Sequence, residues 1–210
     1  MSAVSSIVTL VSRYNTVHLA FDIFQGIGIA AALGIRPYLP SLAVGALAAG
    51  DVEIHFTHTQ YHFLQAIPFL LVMAVAALVL GILESRRTLD GRIGTPVLAA
   101  FSMVLGACFF AGSLARAGHS PAPGFLAGLV CAGIGLAASR PFLARLRSRL
   151  DAQSAGVGVP VIAEGSALAT AILSVLAPPL GLVALLALVW LLWSGRGRED
   201  TKYAGLRILR

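Results

Sequence analysis

The stretch AIPFLLVMAVAALVLGIL, Ala66 to Leu83, decides the fold class. It contains no charged side chain and approaches the roughly 20 residues that a helix needs to cross a bilayer's hydrocarbon core. Glu84 and the basic loop SRRTLDGR, Ser85 to Arg92, close it abruptly. The rest of the chain has the same character. Of 210 residues, 58% are hydrophobic and 11% are charged, and mean hydropathy is +0.87. A soluble domain carries about 25% charged residues, so this chain has too little polar surface to clothe a sphere in water. A bilayer removes that requirement.

Working outward in both directions, the hydropathy predicts an all-α, polytopic transmembrane bundle of about six spans plus one broken or re-entrant segment. The first span is read over Val17 to Ile35, where Arg36-Pro37 ends it, because proline disfavours helical geometry in the residue before it. Tyr38 to Gly50 is apolar but short, which suits a half-helix or re-entrant segment. Residues 51–65, DVEIHFTHTQYHFLQ, are polar and read as an external loop or interfacial helix. Further spans follow Ala66–Leu83 at Gly94 to Ala115, Phe125 to Ser139, Val159 to Ala177 and Leu180 to Trp193. The loop RAGHSPAPG and the pair Pro178-Pro179 break the chain between them. Residues 1–210 form a single domain on this reading, with 1–16 an N-terminal interfacial segment and 195–210 a basic tail. The start, MSAVSSIVTLVSRYN, lacks a basic region before its apolar run, so no cleaved signal is expected.

The net charge of +6 is read by position. Arginines gather in short runs between apolar stretches, at Arg86, Arg87 and Arg92, then at Arg140, Arg145, Arg147 and Arg149, and again in the tail. That is the pattern of cytoplasmic loops rather than of a nucleic-acid face. The intervening loops carry only Arg116, so alternation puts the tail in the cytoplasm. Arg13 favours a cytoplasmic N-terminus as well. Trp190 and Trp193 sit near the end of the last span, where aromatic belts lie.

An internal echo links IRPYLPSL, Ile35 to Leu42, with SRPFLARL, Ser139 to Leu146, each following a helix that contains Gly-Ile-Gly. With six spans the two Arg-Pro pairs fall on opposite membrane faces, the arrangement of an inverted repeat. Chance similarity in a chain rich in Leu, Ala and Gly is the other reading. GIAAALGIRPYLPSLAVG (Gly28 to Gly45), the span ending in Leu83-Glu84, the Glu164 segment after Gly-Val-Pro, and KYAGLRILR (Lys202 to Arg210) together resemble a bacterial membrane family known as domain of unknown function 4126. The resemblance implies a multi-span architecture, an inner-membrane location and no particular activity. The three-histidine stretch is not among the features that carry it.

Chemistry is sought first where polarity lies inside spans. His18, Asp22 and Gln25 are spaced by four and three residues, hence share a helix face. An acidic group within a span costs about 2.5–3.5 kcal/mol on insertion scales, which makes it a functional candidate by default. The structural alternative is that Asp22 reaches headgroup water or pairs with Arg36 or Arg13. Glu164 opens its span, and a first-turn acid also complements the helix dipole without further purpose. Asp22, Gln25, Arg36 and Glu164 are therefore the candidate solute- or ion-binding residues. His55, His58 and His62 would share one face if helical, and imidazoles so placed hold divalent metals; an interfacial belt with Phe56, Tyr61 and Phe63 is the alternative. Arg140, Arg145, Arg147 and Arg149, with Phe142, Leu143, Leu146 and Leu150, read as an amphipathic helix on anionic lipid headgroups. Gly26, Gly28, Gly34, Gly128, Gly133 and Gly135 favour close helix packing. Cys108 and Cys131 lack partner spacing and read as apolar filler.

No nucleophile elbow, P-loop, zinc-protease or paired-cysteine motif appears in the sequence, so an enzyme is not expected. The function expected is a pathway or binding site for a small solute or ion, that is, a transporter or channel-like protein. The alternative is a non-transporting subunit or scaffold that binds lipid or a partner protein. Expected partners are the bilayer and anionic headgroups, with a homo-oligomer left open, and no nucleic acid. No cofactor is expected beyond a divalent metal at the histidines.

Overall fold

Long apolar runs interrupted only by proline, glycine and charge clusters give helices throughout. A computed structural model describes the backbone of residues 2–85, 94–150 and 152–196, and within them the side chains of 18–79, 82, 96–150 and 157–194. Its elements are α1 (Ser2–Ile35), α2 (Tyr38–Ala49), a 3-10 turn (His62–Gln65), α3 (Ile67–Ser85), α4 (Gly94–Arg116), α5 (Pro121–Arg147), α6 (Ala152–Leu176) and α7 (Pro179–Arg196). Among the described residues there is no strand.

Four stretches are long and apolar enough to cross a membrane: His18–Ile35, Pro96–Arg116, Pro121–Arg147 and Val157–Leu176. Tyr38–Ala49, Ile67–Val79 and Pro179–Ser194 are shorter apolar helices. The outer surface agrees with a bilayer around the bundle. Ile67 (73%), Leu126 (66%), Val157 (67%) and Trp193 (77%) stand exposed on four different helices. Exposed apolar surface of that extent is foreign to a monomer in water.

The core forms around α1, which packs against α4, α5, α6 and α7. Ile29 to Leu33 are fully buried. Small residues permit the approach: a Cβ placed on Gly34 would strike the carbonyl of Ala132, and one on Gly135 that of Ala31. The α1–α5 seam is thus backbone against backbone, as expected of small-residue interfaces in membranes. Gly133, by contrast, faces open space, with only the tip of Met103 within 4.0 Å of a built Cβ.

Several expectations need correcting. Residues 2–16, expected as a segment distinct from the first span, are continuous with it in the single helix α1. The first Arg-Pro pair ends α1 as expected, but α5 continues through Pro141 to Arg147. Proline interrupts a helix by freeing the carbonyl four residues earlier and crowding it. Here Ala137 and Pro141 are both exposed, so the freed carbonyl is not enclosed in the core. Helix α6 likewise continues through Pro160, which leaves Glu164 in the helix interior and removes the first-turn dipole account of it.

The direction of α1 is the largest departure. Gly28 meets Gly181 at the start of α7, while Gly34 and Gly135 meet further along. Ile35 and Arg36 then line one cleft with Ser139 and Arg140. Helices α1, α5 and α7 therefore run the same way, and both Arg-Pro pairs lie at the same end of the bundle. The opposed placement required for the inverted repeat is absent. The start of α1 and the end of α7 also lie at opposite ends, whereas both termini were expected on one side.

Helix α2 leaves the arginine end and spans about 18 Å at 1.5 Å per residue, short of a core of about 30 Å. A re-entrant segment would turn back to that end. Instead the irregular segment after it reaches the opposite end, where the Glu53 carbonyl meets Arg116. This stretch was expected outside the bundle, yet Ile54, Phe56 and Leu64 are fully buried. The Phe56 ring packs on Phe109 at 6.2 Å, and the Gln65 side chain accepts the Phe56 amide at 2.7 Å. Irregular backbone at membrane depth survives only where protein shelters and satisfies it.

Candidate functional site

Polar side chains gather at the two ends of the bundle. At the first, Asp22 forms an ion pair with Arg116, the last residue of α4. The two side chains are only 14% and 18% exposed, respectively. Arg116 Nη2 also donates to Gln25 Oε1 at 3.0 Å, and Nη1 donates to the Glu53 carbonyl at 2.6 Å. Gln25, itself 2% exposed, donates through Nε2 to the Val175 carbonyl at 3.2 Å. One guanidinium thus joins α1, α4 and the segment after α2, and Gln25 extends the link to the end of α6. The carbonyl-rich C-terminus of α4 favours the cation placed there. Charge and hydrogen-bond capacity are largely consumed within this cluster.

The pairing resolves the alternatives for Asp22. Its cation is Arg116 and not Arg36, which lies fourteen residues further along α1, about 21 Å at the rise of a helix. The side chain of Arg13 lies outside those described. Spacing alone could not reveal Arg116, which stands 94 residues away from Asp22. Its isolation as the one arginine in the loops between the arginine-rich runs was the available signal.

At the opposite end a half-open cleft of about 240 Å³ lies between the ends of α1, α4 and α5. Arg36, Arg140 and Arg147 line it with Tyr38, Ser102 and Ser139, and Leu98, Leu136 and Leu143 form apolar wall. Ser102 and Ser139 already donate to the carbonyls of Leu98 and Leu136, at 2.9 and 3.2 Å. The N-terminus of α2 opens on this cleft: its cap residue is Pro37, and no side chain caps it. Of the expected site residues, only Arg36 lies here. Arg140 and Arg147, expected on lipid, line the cleft as well, while Arg145 donates to the Pro141 carbonyl at 3.1 Å and Arg149 is exposed.

Glu164 belongs to neither cluster. It lies eleven residues before Val175 on α6, about 16 Å down the helix from the Gln25 contact, so Asp22 and Glu164 are not members of one site. His55, His58 and His62 are exposed, but their segment is not an α-helix and lacks the shared face assumed for it. Among the described residues no group of three or more His, Cys, Asp or Glu side chains is placed to hold a metal ion. The basic loop 86–92 and the tail from 197 onward lie outside the described residues.

A family model for a domain of unknown function (DUF4126) matches residues 23–196. No curated protein and no solved structure matches the chain. The matched stretch begins one residue after Asp22 and holds Gln25, Arg116 and the whole arginine cleft. The chain belongs to the DUF4126 family.

Proposed function

We propose that this protein is a multi-pass protein of the inner membrane that provides a pathway for a small solute, open at the arginine end and latched at the other. The observation that carries this reading is the asymmetry of the two ends: a half-open cleft with arginines in an otherwise largely apolar wall at one and an ion-pair cluster at the other. An alternating-access protein requires such an arrangement, with a gate closed on one side while the site is open to the other. The bias of arginines toward the cytoplasm assigns the cleft end to that side. The chain then crosses seven times, α2 and the segment after it counting as one crossing, with its N-terminus outside.

Cysteine accessibility tests this without knowledge of the solute. In a background with Cys108 and Cys131 replaced by Ala, Ala99→Cys in the cleft should react with an impermeant thiol reagent from the cytoplasmic side. Ser113→Cys, fully buried one turn below Arg116, should stay silent. Adding Arg116→Gln opens the latch, so Ser113→Cys should then react from outside while Ala99→Cys loses reactivity. Exposure of Ser113→Cys with Ala99→Cys unchanged would mean a structural ion pair and no coupled gate. That outcome favours the scaffold reading, which draws support from the exposed Arg145 and Arg149 beside Phe142.

A further inference from the structure

We propose that residues 53–65 are a plug, a self-contained segment seated between α2 and α4 and released when Arg116 lets go of Glu53. This deepens the reading above by naming the part that moves at the latched end, and it rests on that reading for a gate there.

The segment carries its own hydrogen bonds. Gln65 Oε1 accepts the Phe56 amide at 2.7 Å. The Thr59 amide and hydroxyl both donate to the Phe56 carbonyl, at 3.1 and 3.0 Å, and the Tyr61 amide donates to Thr59 Oγ1 at 3.2 Å. Polar groups closed on one another lose no partner when the segment shifts as a body, so its movement does not orphan them. Among the described residues, the one hydrogen bond from this segment to another helix is that of Arg116 Nη1 to the Glu53 carbonyl.

The seat itself is a matter of shape. Phe56 lies over Gly112 of α4, where a built Cβ would fall 2.8 Å from the ring. The Leu64 carbonyl lies over Gly45 of α2, where a built Cβ would fall 2.6 Å away. Two bare glycine surfaces thus receive the buried side of the segment, and neither bonds it in place.

Glu53 supplies the spring. Its backbone sits at a φ of 58°, and that of Asp51 at 53°. This is the left-handed region, which Gly, Asn and Asp adopt readily and other side chains seldom do. Asp51 therefore suits its place, whereas Glu53 is strained. Such strain persists only where the surroundings impose it. At Glu53 the constraint is the guanidinium on its own carbonyl, and Asp22 and Gln25 orient that guanidinium. Breaking the ion pair lets Glu53 relax. A turn that absorbs a change of φ at one end of a segment is a hinge for all that follows it.

Hydrogen exchange read by mass spectrometry on the purified full-length protein tests the plug. In Arg116→Gln, peptides covering 53–65 should exchange about tenfold faster as one unit, while those of α2 and α3 stay unchanged. Glu53→Asn keeps both the carbonyl and Arg116 but suits the left-handed backbone, so it should slow exchange of the same peptides about threefold. Unchanged exchange at 53–65 in Arg116→Gln, or acceleration spread equally over α2 and α3, would overturn the proposal. If Arg116→Gln does not fold, Glu53→Asn decides alone, and exchange equal to or faster than that of the unaltered protein overturns it. The gate and the plug fail separately. Loss of Ala99→Cys reactivity in Arg116→Gln with unchanged exchange keeps the gate and removes the plug. Faster exchange with Ala99→Cys still reactive supports the plug and removes the coupled gate.

Discussion

The two ends of this bundle handle arginine in opposite ways. At the α4 terminus a single guanidinium faces a carboxylate, an amide oxygen and a backbone carbonyl, and four segments of the chain converge on it through Gln25. At the other end three guanidinium groups, those of Arg36, Arg140 and Arg147, line one cleft beside Leu98, Leu136 and Leu143. The first arrangement resembles a clasp, in which opposite charges meet and both side chains are mostly buried. The second sets three basic side chains, brought from α5 and from the junction after α1, along one half-open cleft. A cation held between segments ties them together, whereas the arginine end keeps a space between its helices.

The strongest test of this contrast concerns the seam that connects the two ends. Gly34→Val drives a side chain into the backbone of Ala132 and should cost about 3 kcal/mol by overpacking, read as unfolding in mixed detergent micelles. Gly133→Val, on the same helix as Ala132 but turned to a side where a built Cβ meets only the tip of Met103, should stay within about 0.5 kcal/mol. Equal losses would show that the seam does not depend on close backbone approach.

A smaller effect is expected at the clasp. Arg116→Gln leaves the Asp22 carboxylate partly buried without its cation and should cost about 2 kcal/mol. Adding Asp22→Asn should recover part of the loss, and a double-mutant cycle in the same micelle assay measures the coupling. If the two changes add without coupling, the ion pair contributes nothing beyond geometry.

The smallest effect belongs to the cleft. Arg140→Gln should shift stability by less than about 0.5 kcal/mol, because its side chain stands at an exposed position. A loss as large as that at Arg116 would make the arginine end a second structural clasp and erase the contrast.

Part of this contrast is legible in the sequence. Asp22 and Gln25 share a helix face at a spacing of three, and both join the clasp. Arg36 was legible at the helix break, and it lines the cleft. Their partners were not. Arg116 meets Asp22 across 94 residues, and Arg36 meets Arg140 only because α1 and α5 run in parallel. The opposite expectation came from counting Tyr38–Gly50 as a segment that turns back. Its helix is too short to cross alone, and the crossing is completed by irregular backbone around Phe56 and Gln65 whose polarity suggested an exterior position.

What the sequence determined by itself is the membrane class, the helical content and the breaks at Arg36-Pro37 and Pro178-Pro179. Each of these depends on local composition, on hydrophobicity per turn and on the covalent constraint of proline. The direction of α1, the continuation of helices through Pro141 and Pro160, the identity of the cation facing Asp22 and the gathering of three arginines were decided only by tertiary structure. Hydropathy has no sense of direction along a helix, and a proline interrupts a helix only where its freed carbonyl cannot be accommodated. Which charges meet is settled by which backbones can touch, and here that depends on glycines such as Gly34 and Gly135 whose contacts lie about a hundred residues apart in the chain.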